Sequence, residues 1–328
     1  MKNYFLLFSL LLCIACSNNR TNGAVNLIFD TDMAPDYDDV GALALLHALA
    51  DSGEVNILAT VSSNKCPTAV PCIEVINTYF GRPDIPTAAV RGEAADRTTW
   101  HSGLRWTEEL PKKYPHRTKA TADSEDALKL YRRILSQQPD KSVTIVTVGF
   151  FSNLQNLLLS QADEISPLSG KELIDKKVKQ LVSMAGAFPE GKEFNVYVDA
   201  KASQYIMKEW PTPILFSGFE IGSQIFTGKR LVESGIKNNP IVDTYTMCLQ
   251  QDDPKGRDSW DQTATLVAVR GASKYFDVEY GTITVNDDGS NTWKKDPNGQ
   301  HAHLIFKMPK EQLTAEIEHL MMHLPQKK

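Results

Sequence analysis

Cationic blocks are missing from this chain of 328 residues. Its 35 Lys and Arg are outnumbered by 40 Asp and Glu, for a formal net charge of −5, and nowhere do basic residues form a stripe interleaved with aromatics. That argues against nucleic acid as a partner, because such binding needs clustered cations to neutralise phosphates. Beyond the first residues there is no apolar run long enough to span a bilayer. Internal repeats are absent as well. Cysteine is scarce: five in all, of which Cys66 and Cys72 bracket Pro-Thr-Ala-Val-Pro and Cys248 stands alone. In an oxidising compartment the first two are expected to close a small disulfide loop, provided their Cα atoms lie close enough.

The N-terminus supplies the evidence for such a compartment. Met1 to Ala15 combine a basic start, a short apolar core and a small residue before Cys16, which is followed by polar Ser-Asn-Asn-Arg. This reads as an export signal and not a spanning helix. The pattern resembles a bacterial lipoprotein cleavage site, so residues 1–15 are expected to be a signal peptide, Cys16 the lipid-modified first mature residue, and residues 16–24 a tether. Cleavage by the ordinary secretory route is the alternative. Either places the remaining single domain, 25–328, outside the cytoplasm, in the periplasm or on the outer membrane, with an N-terminal lipid as its sole membrane attachment.

Within that domain, five aspartates fall in ten residues: Asp30, Asp32, Asp36, Asp38 and Asp39. They follow the apolar run Val25, Leu27, Ile28, Phe29, which reads as a buried strand, and precede Ala42–Ala50, which reads as a helix. Helix capping accounts for one or two of these acids, not five. Carboxylates so crowded resist ionising unless a cation neutralises them. With no His or Cys among them, a hard oxygen-preferring ion is indicated, Ca²⁺ before Mg²⁺.

Strand-like segments (Val55–Val61, Ala88–Val90, Val143–Val148, Val178–Met184, Ile214–Ser217) alternate with helical ones (Ile73–Phe80, Ser124–Gln137, Leu154–Leu159, Ala200–Glu209, Thr263–Val269). This predicts an α/β fold: an open, mostly parallel twisted sheet, Rossmann-like, with helices on both faces. Residues 97–119 and 286–300 read as surface insertions or a terminal hairpin. In such a sheet ligands bind at the carboxyl ends of strands, where the acidic turn sits.

Other polar groups end on the same rim. Asn64 closes the second strand. The Val148-Gly149 turn leads to Ser152-Asn153, where Gly lets the chain leave the strand sharply and expose a carbonyl. Glu193 and Asn195 flank Phe194 and alternate like residues on one face of an extended segment, suited to a polyol. Trp260 beside Asp261 offers a stacking wall for a flat ring.

Taken in order from about Val25 to Val269, these segments resemble the inosine-uridine preferring nucleoside hydrolase family. The resemblance implies a Ca²⁺-dependent N-ribohydrolase acting on ribonucleosides. Asp32 would touch the ion and activate the attacking water, with Asp39, Asp261 and the Val148 carbonyl completing the protein's share of the shell. Asp38, Asn64, Glu193 and Asn195 would hold ribose hydroxyls. A homo-oligomer stays open.

The chain also departs from the family. The turn Asp-Pro-Gly-x-Asp-Asp is two residues longer here and carries the extra acid Asp36, a candidate to enter the shell or replace Asp38. The position before Asp261, often a His that protonates the leaving base, is Trp260, which cannot serve as an acid at neutral pH. Trp100, Trp106 and His101 are further candidates for stacking or protonating a base. His47, His301 and His303 read as structural. A haloacid-dehalogenase-like phosphatase also begins with a strand and Asp-x-Asp, but does not account for Asp38-Asp39 or Glu-Phe-Asn, and an EF-hand loop fails on the spacing of its Gly and Glu. A calcium-dependent nucleoside- or sugar-binding lipoprotein without catalysis is the rival of a different class.

Overall fold

A computed structural model describes residues 23–99, 105–251 and 253–326. The signal segment, Cys16, Trp100 and His101 lie outside the described residues. Among the described residues there are thirteen strands: β1 Val25–Thr31, β2 Val55–Ser62, β3 Thr87–Ala89, β4 Glu125–Asp126, β5 Val143–Thr147, β6 Val178–Met184, β7 Glu190–Gly191, β8 Ile214–Ser217, β9 Phe226–Thr227, β10 Arg257–Asp258, β11 Phe276–Val285, β12 Asn291–Lys295 and β13 His301–Phe306. Eleven form one sheet in the order β4-β3-β2-β1-β5-β6-β8-β13-β11-β12-β7, while β9 and β10 pair separately.

From β4 to β13 every neighbouring pair is parallel; β11, β12 and β7 continue antiparallel. The two parts bury differently. β1 sends Leu27 and Phe29 into one core and Ile28 into the other, as a strand covered on both faces must. In β11 the last residues alternate buried and exposed, Gly281, Ile283 and Val285 inward and Tyr280 out. That is the pattern of a sheet with one wet face.

Each face carries its own helices. The helix Asp38–Asp51, with its run Ala-Leu-Ala-Leu-Leu buried, packs with helices Trp260–Arg270 and Lys310–Met321 on one side. Helices Ala127–Gln137, Ser152–Leu159 and Ala200–Glu209 cover the other. The α/β reading therefore holds.

Several local expectations change. The helix expected from Ser124 starts at Ala127, because Asp126 accepts from the Leu128 N–H and ends a short strand instead. The supposed insertion after Arg97 contains helix Trp106–Lys113, whose Trp106 is fully buried. That removes Trp106 as a stacking residue for a base. Cys66 and Cys72 are free thiols: Cys72 Sγ faces the Thr107 carbonyl at 3.4 Å while Cys66 Sγ sits 3.5 Å from the Thr68 hydroxyl. His47 is buried against Asn77, and His301 and His303 lie in β13, as structural histidines do.

Candidate active site

Strand order reverses around β1, since β2 lies on one side of it and β5 on the other. This switch point opens a crevice at the carboxyl ends of the strands. Backbone contacts draw the ends together: Val148 N–H donates to the Asp30 carbonyl at 2.8 Å, and Ser63 N–H to the Thr31 carbonyl at 2.8 Å. Gly149 makes this approach possible. A Cβ there would lie 2.3 Å from the Asp32 nitrogen and 2.8 Å from its Cβ.

Asp30 points to the side of helices Ala127–Gln137 and Ser152–Leu159. Its carboxylate accepts from the Tyr131 hydroxyl at 2.7 Å and from Asn153 Nδ2 at 3.0 Å. Burial raises its pKa to about 7 in spite of those donors. The other four acids of the turn face the opposite layer with Asp261, which enters from the first turn of its helix. Asp38 and Asp39 lie in the first turn of helix Asp38–Asp51, but no side chain caps that helix. Neither acid caps its own helix, although Asp38 Oδ2 accepts from the Asp261 N–H in the first turn of helix Trp260–Arg270 at 3.3 Å.

The carboxylates of Asp36, Asp38 and Asp39 bring oxygens within 4.8 Å of one another, a grouping able to hold a metal ion. Unit charges at such a spacing repel by about 3.5 kcal/mol per pair at an effective dielectric of about 20. The pKa values respond accordingly. Burial and then the charges of Asp39, Asp36 and Asp38 raise Asp32; burial and then Asp38 push Asp39 up to about 7; burial and the same acids raise Asp261. One oxygen of Asp39 accepts from Thr31, while its other oxygen is buried with no partner. No side chain donates to the Asp32 carboxylate among the described residues, although the residue is only 5% exposed. An unpartnered buried carboxylate oxygen among like charges fits a hard cation, and this donor set is all oxygen.

One residue that the sequence reading left without a role sits among the acids. Arg257, 6% exposed, donates through Nε and Nη2 to Asp38 at 3.3 and 3.1 Å, and through Nη2 to Asp36. So Asp36 pairs with a guanidinium. One guanidinium cannot offset five carboxylates, which leaves the cluster with room for a divalent ion. The available signal was charge arithmetic: an added acid in a lengthened turn calls for a cation elsewhere.

A cavity of about 280 Å³ joins these groups, lined by Asp32, Asp36, Asp38, Val148, Glu193, Asn195, Arg257, Trp260 and Asp261, with Lys192, Tyr197 and Phe219 among its other lining residues. Sequence reasoning gave no role to those last three, which carry no spacing signal. Glu193 and Asn195 do line it together, but not as an extended segment. Glu193 is the N-cap of helix Phe194–Val198, accepting from the Asn195, Val196 and Gly186 N–H groups. Asn195 Nδ2 donates to the Val148 and Met184 carbonyls, each at 3.1 Å. Trp260 anchors its indole N–H on the Phe219 carbonyl at 2.8 Å, with the two rings 5.3 Å apart. Gly222 gives it space, since a Cβ there would strike Trp260 Cα at 2.3 Å.

Asn64 serves elsewhere. Its Nδ2 donates to the Asp32 and Arg97 carbonyls at 2.9 and 2.8 Å, and its Oδ1 accepts from the Cys66 and Arg97 N–H groups. With its amide so occupied, it braces the Asp32 turn from behind.

Known proteins share this architecture. A plant nucleoside hydrolase, PpNRh1, superposes with a TM-score of 0.69 at 20% identity, covering 91% of this chain and 99% of that one. A purine-preferring ribonucleoside hydrolase from Gardnerella vaginalis gives 0.69 at 16% identity, covering 90% and 99%. In sequence, a pyrimidine-specific ribonucleoside hydrolase RihA of Shewanella sp. (strain MR-7) is 29% identical over 215 residues, 60% of each chain. An uncharacterized protein of Schizosaccharomyces pombe is 28% identical over 221 residues, 63% of this chain and 65% of its own. The match thus spans about 60 to 65% of the length of these curated relatives. The model of the inosine-uridine preferring nucleoside hydrolase family runs over residues 27–313, from the first strand through every wall of the cavity, and the chain belongs to that family.

Proposed function

We propose that this protein is an exported, Ca²⁺-dependent ribonucleoside hydrolase, carried on a membrane through lipid at Cys16, that releases free base and ribose. The observation that carries the reading is Asp32: a carboxylate bordering the cavity, lacking a side-chain donor and raised in pKa, in a family of nucleoside hydrolases. Asp32, Asp39, Asp261 and the Val148 carbonyl would hold the ion. When bound, Ca²⁺ supplies positive charge that neutralises the carboxylates and a Lewis-acid centre beside the sugar.

The residues do the rest. Asp32 accepts the proton of the attacking water as its oxygen bonds to C1′. Breaking the N-glycosidic bond passes through an oxocarbenium-like ribose, which the negative surroundings favour. Asp38 and Glu193 orient the ribose hydroxyls, and Asn195, its Nδ2 already engaged by carbonyls, offers Oδ1 to another. Positioning of this kind contributes several kcal/mol to lowering a barrier. Asn64 acts one step back, through the Asp32 carbonyl.

Trp260 in place of an acid favours the second reading, a binding protein that keeps the ion and ribose contacts without turnover. Release of free ribose from a nucleoside panel by the mature domain, with Ca²⁺ and with chelator, decides between them. Chelator-sensitive release supports the hydrolase, with Asp32→Asn as the inactive control. Calcium-dependent binding without release overturns it.

A further inference from the structure

Trp260 itself offers the departing base no acidic proton, yet a guanidinium lines the same cavity beside it. Arg257 stands three residues before Trp260 in the chain and stacks its guanidinium between two rings, 5.1 Å from the centroids of both Tyr37 and Trp260. Asp38 and Asp36 grip it through Nε and Nη2. The remaining nitrogen, Nη1, makes no hydrogen bond among the described residues and is paired only at 3.9 Å with Asp253, whose carboxylate also accepts from the Tyr37 hydroxyl at 2.6 Å. A planar fork is thus fixed by two carboxylates and two aromatic faces, its Nη1 not hydrogen-bonded, and Arg257 is among the residues that line the cavity.

Resting on the hydrolase reading, we infer that Arg257 stabilises the leaving base as an anion. The substrate class this implies is ribosides of heterocycles that bear a carbonyl oxygen beside the glycosidic nitrogen, as 2-oxopyrimidines do. A guanidinium does not release its proton in a protein, so Arg257 replaces acid catalysis and does not perform it. In the step, the C1′–N bond breaks with its electron pair passing to the base. The charge spreads onto the exocyclic oxygen, which accepts from the guanidinium, while water oxygen bonds to C1′ and its proton goes to Asp32. The base anion takes a proton from solvent after it leaves. Atoms and charge balance as riboside plus water giving ribose plus neutral base. Charge-assisted donors aimed at a developing oxyanion are among the largest contributors to catalysis.

A mere neutraliser of Asp36 and Asp38 needs neither a nitrogen left without a hydrogen bond nor a place in the lining of the cavity. The test separates the two roles by leaving-group demand. Uridine needs stabilisation of its base, whereas 4-nitrophenyl riboside loses a stable phenolate unaided. At saturating Ca²⁺, Arg257→Gln is expected to lower kcat/KM for uridine by about 100-fold or more, the scale of one lost oxyanion donor, and for the nitrophenyl riboside by less than about tenfold. Arg257→Lys keeps a cation for the buried acids, guarding against misfolding, and is expected to show the same divergence because it lacks the fork. Asp36→Asn, which removes one of the two carboxylates that grip the guanidinium, should reproduce the divergence on a smaller scale, its effect on the acid cluster falling equally on both substrates. Because each preparation is judged by its own ratio of the two substrates, partial unfolding cancels. Equal losses on both substrates would overturn the inference and make Arg257 a positioning residue for Asp38. If the wild type cleaves the nitrophenyl riboside but not uridine, the inference also fails while the hydrolase reading stands. If it cleaves neither, the hydrolase reading falls and takes the inference with it.

Discussion

Asp30 and Asp32 are two residues apart at the end of one strand, equally buried, and the fold treats them in opposite ways. Asp30 turns to a layer that supplies donors, Tyr131 and Asn153, and nothing charged faces it. Asp32 turns to a layer that supplies Asp36, Asp38, Asp39 and Asp261, and no side chain donates to its carboxylate among the described residues. A carboxylate with its hydrogen bonds made is finished with its environment; one surrounded by like charge still requires a partner. The difference lies in which layer is faced, not in residue type or depth. It separates an acid that holds β1 in place from one that is available to an ion and a water.

Removing that availability should have the largest effect. Asp32→Asn keeps shape and removes the base, and general-base catalysis contributes about 10² to 10⁴. The expected result is a fall in kcat of about 10³-fold with nucleoside affinity little changed, read from ribose release and from binding at equilibrium. If Asp30→Asn abolished turnover to the same extent, the contrast between the two acids would be wrong.

Glu193 sharpens the comparison from a third position, as an acid that is satisfied by backbone N–H groups and yet lines the cavity. Burial raises it to about 7 from an ordinary 4.5. The folded state then binds more protons at this group than the unfolded state does between these values, so the contribution of Glu193 to stability is greatest below about pH 4.5 and is lost as pH rises to 7. A shift of this size corresponds to something on the order of 3 kcal/mol. Urea unfolding of the calcium-free protein at pH 5 and pH 8 should give a slope that Glu193→Gln reduces; an unchanged slope would show that its N–H donors already compensate for burial.

The ion itself should distinguish the two faces next. An ion that binds only the folded state stabilises it by about 2.7 kcal/mol at 100 times its dissociation constant. Added Ca²⁺ should therefore raise Tm for wild type, and Asp39→Asn, which removes the unpartnered buried oxygen, should abolish most of that rise. Persistence of the full rise in this variant would move the ion to Asp36 and Asp38.

How much of this was legible in the sequence depended on distance along the chain. The acidic turn, Val148-Gly149 and Glu193 are local signals: a run of apolar residues that stops, then polar groups. The parallel sheet followed from alternation, and so did the placement of the site at strand ends. Arg257 was not legible, because its partners Asp36 and Asp38 are more than two hundred residues away and only folding brings them together. Asn64 misled for a related reason. An amide at a strand end looks free in sequence, and the loop near Arg97 that occupies it is remote. The cysteines failed on direction: a spacing of six residues permits a bond, but Cys72 begins to turn with its helix and faces Thr107 instead.

The smallest effect should belong to Asp30→Asn, and its smallness is the sharper half of the contrast. The amide keeps an acceptor for the Tyr131 hydroxyl but confronts Asn153 Nδ2 with another donor, and losing one buried hydrogen bond costs about 1 kcal/mol. Against this, the variant no longer buries a charge at pH 8, where a carboxyl titrating at about 7 is mostly ionised. The two terms oppose each other, so unfolding free energy should change by less than about 1 kcal/mol, with the variant gaining on wild type as pH rises from 5 to 8. The Ca²⁺-induced rise in Tm should be intact. Loss of that rise would mean that Asp30 feels the ion through β1, and the two faces of the strand would then be one electrostatic unit instead of two.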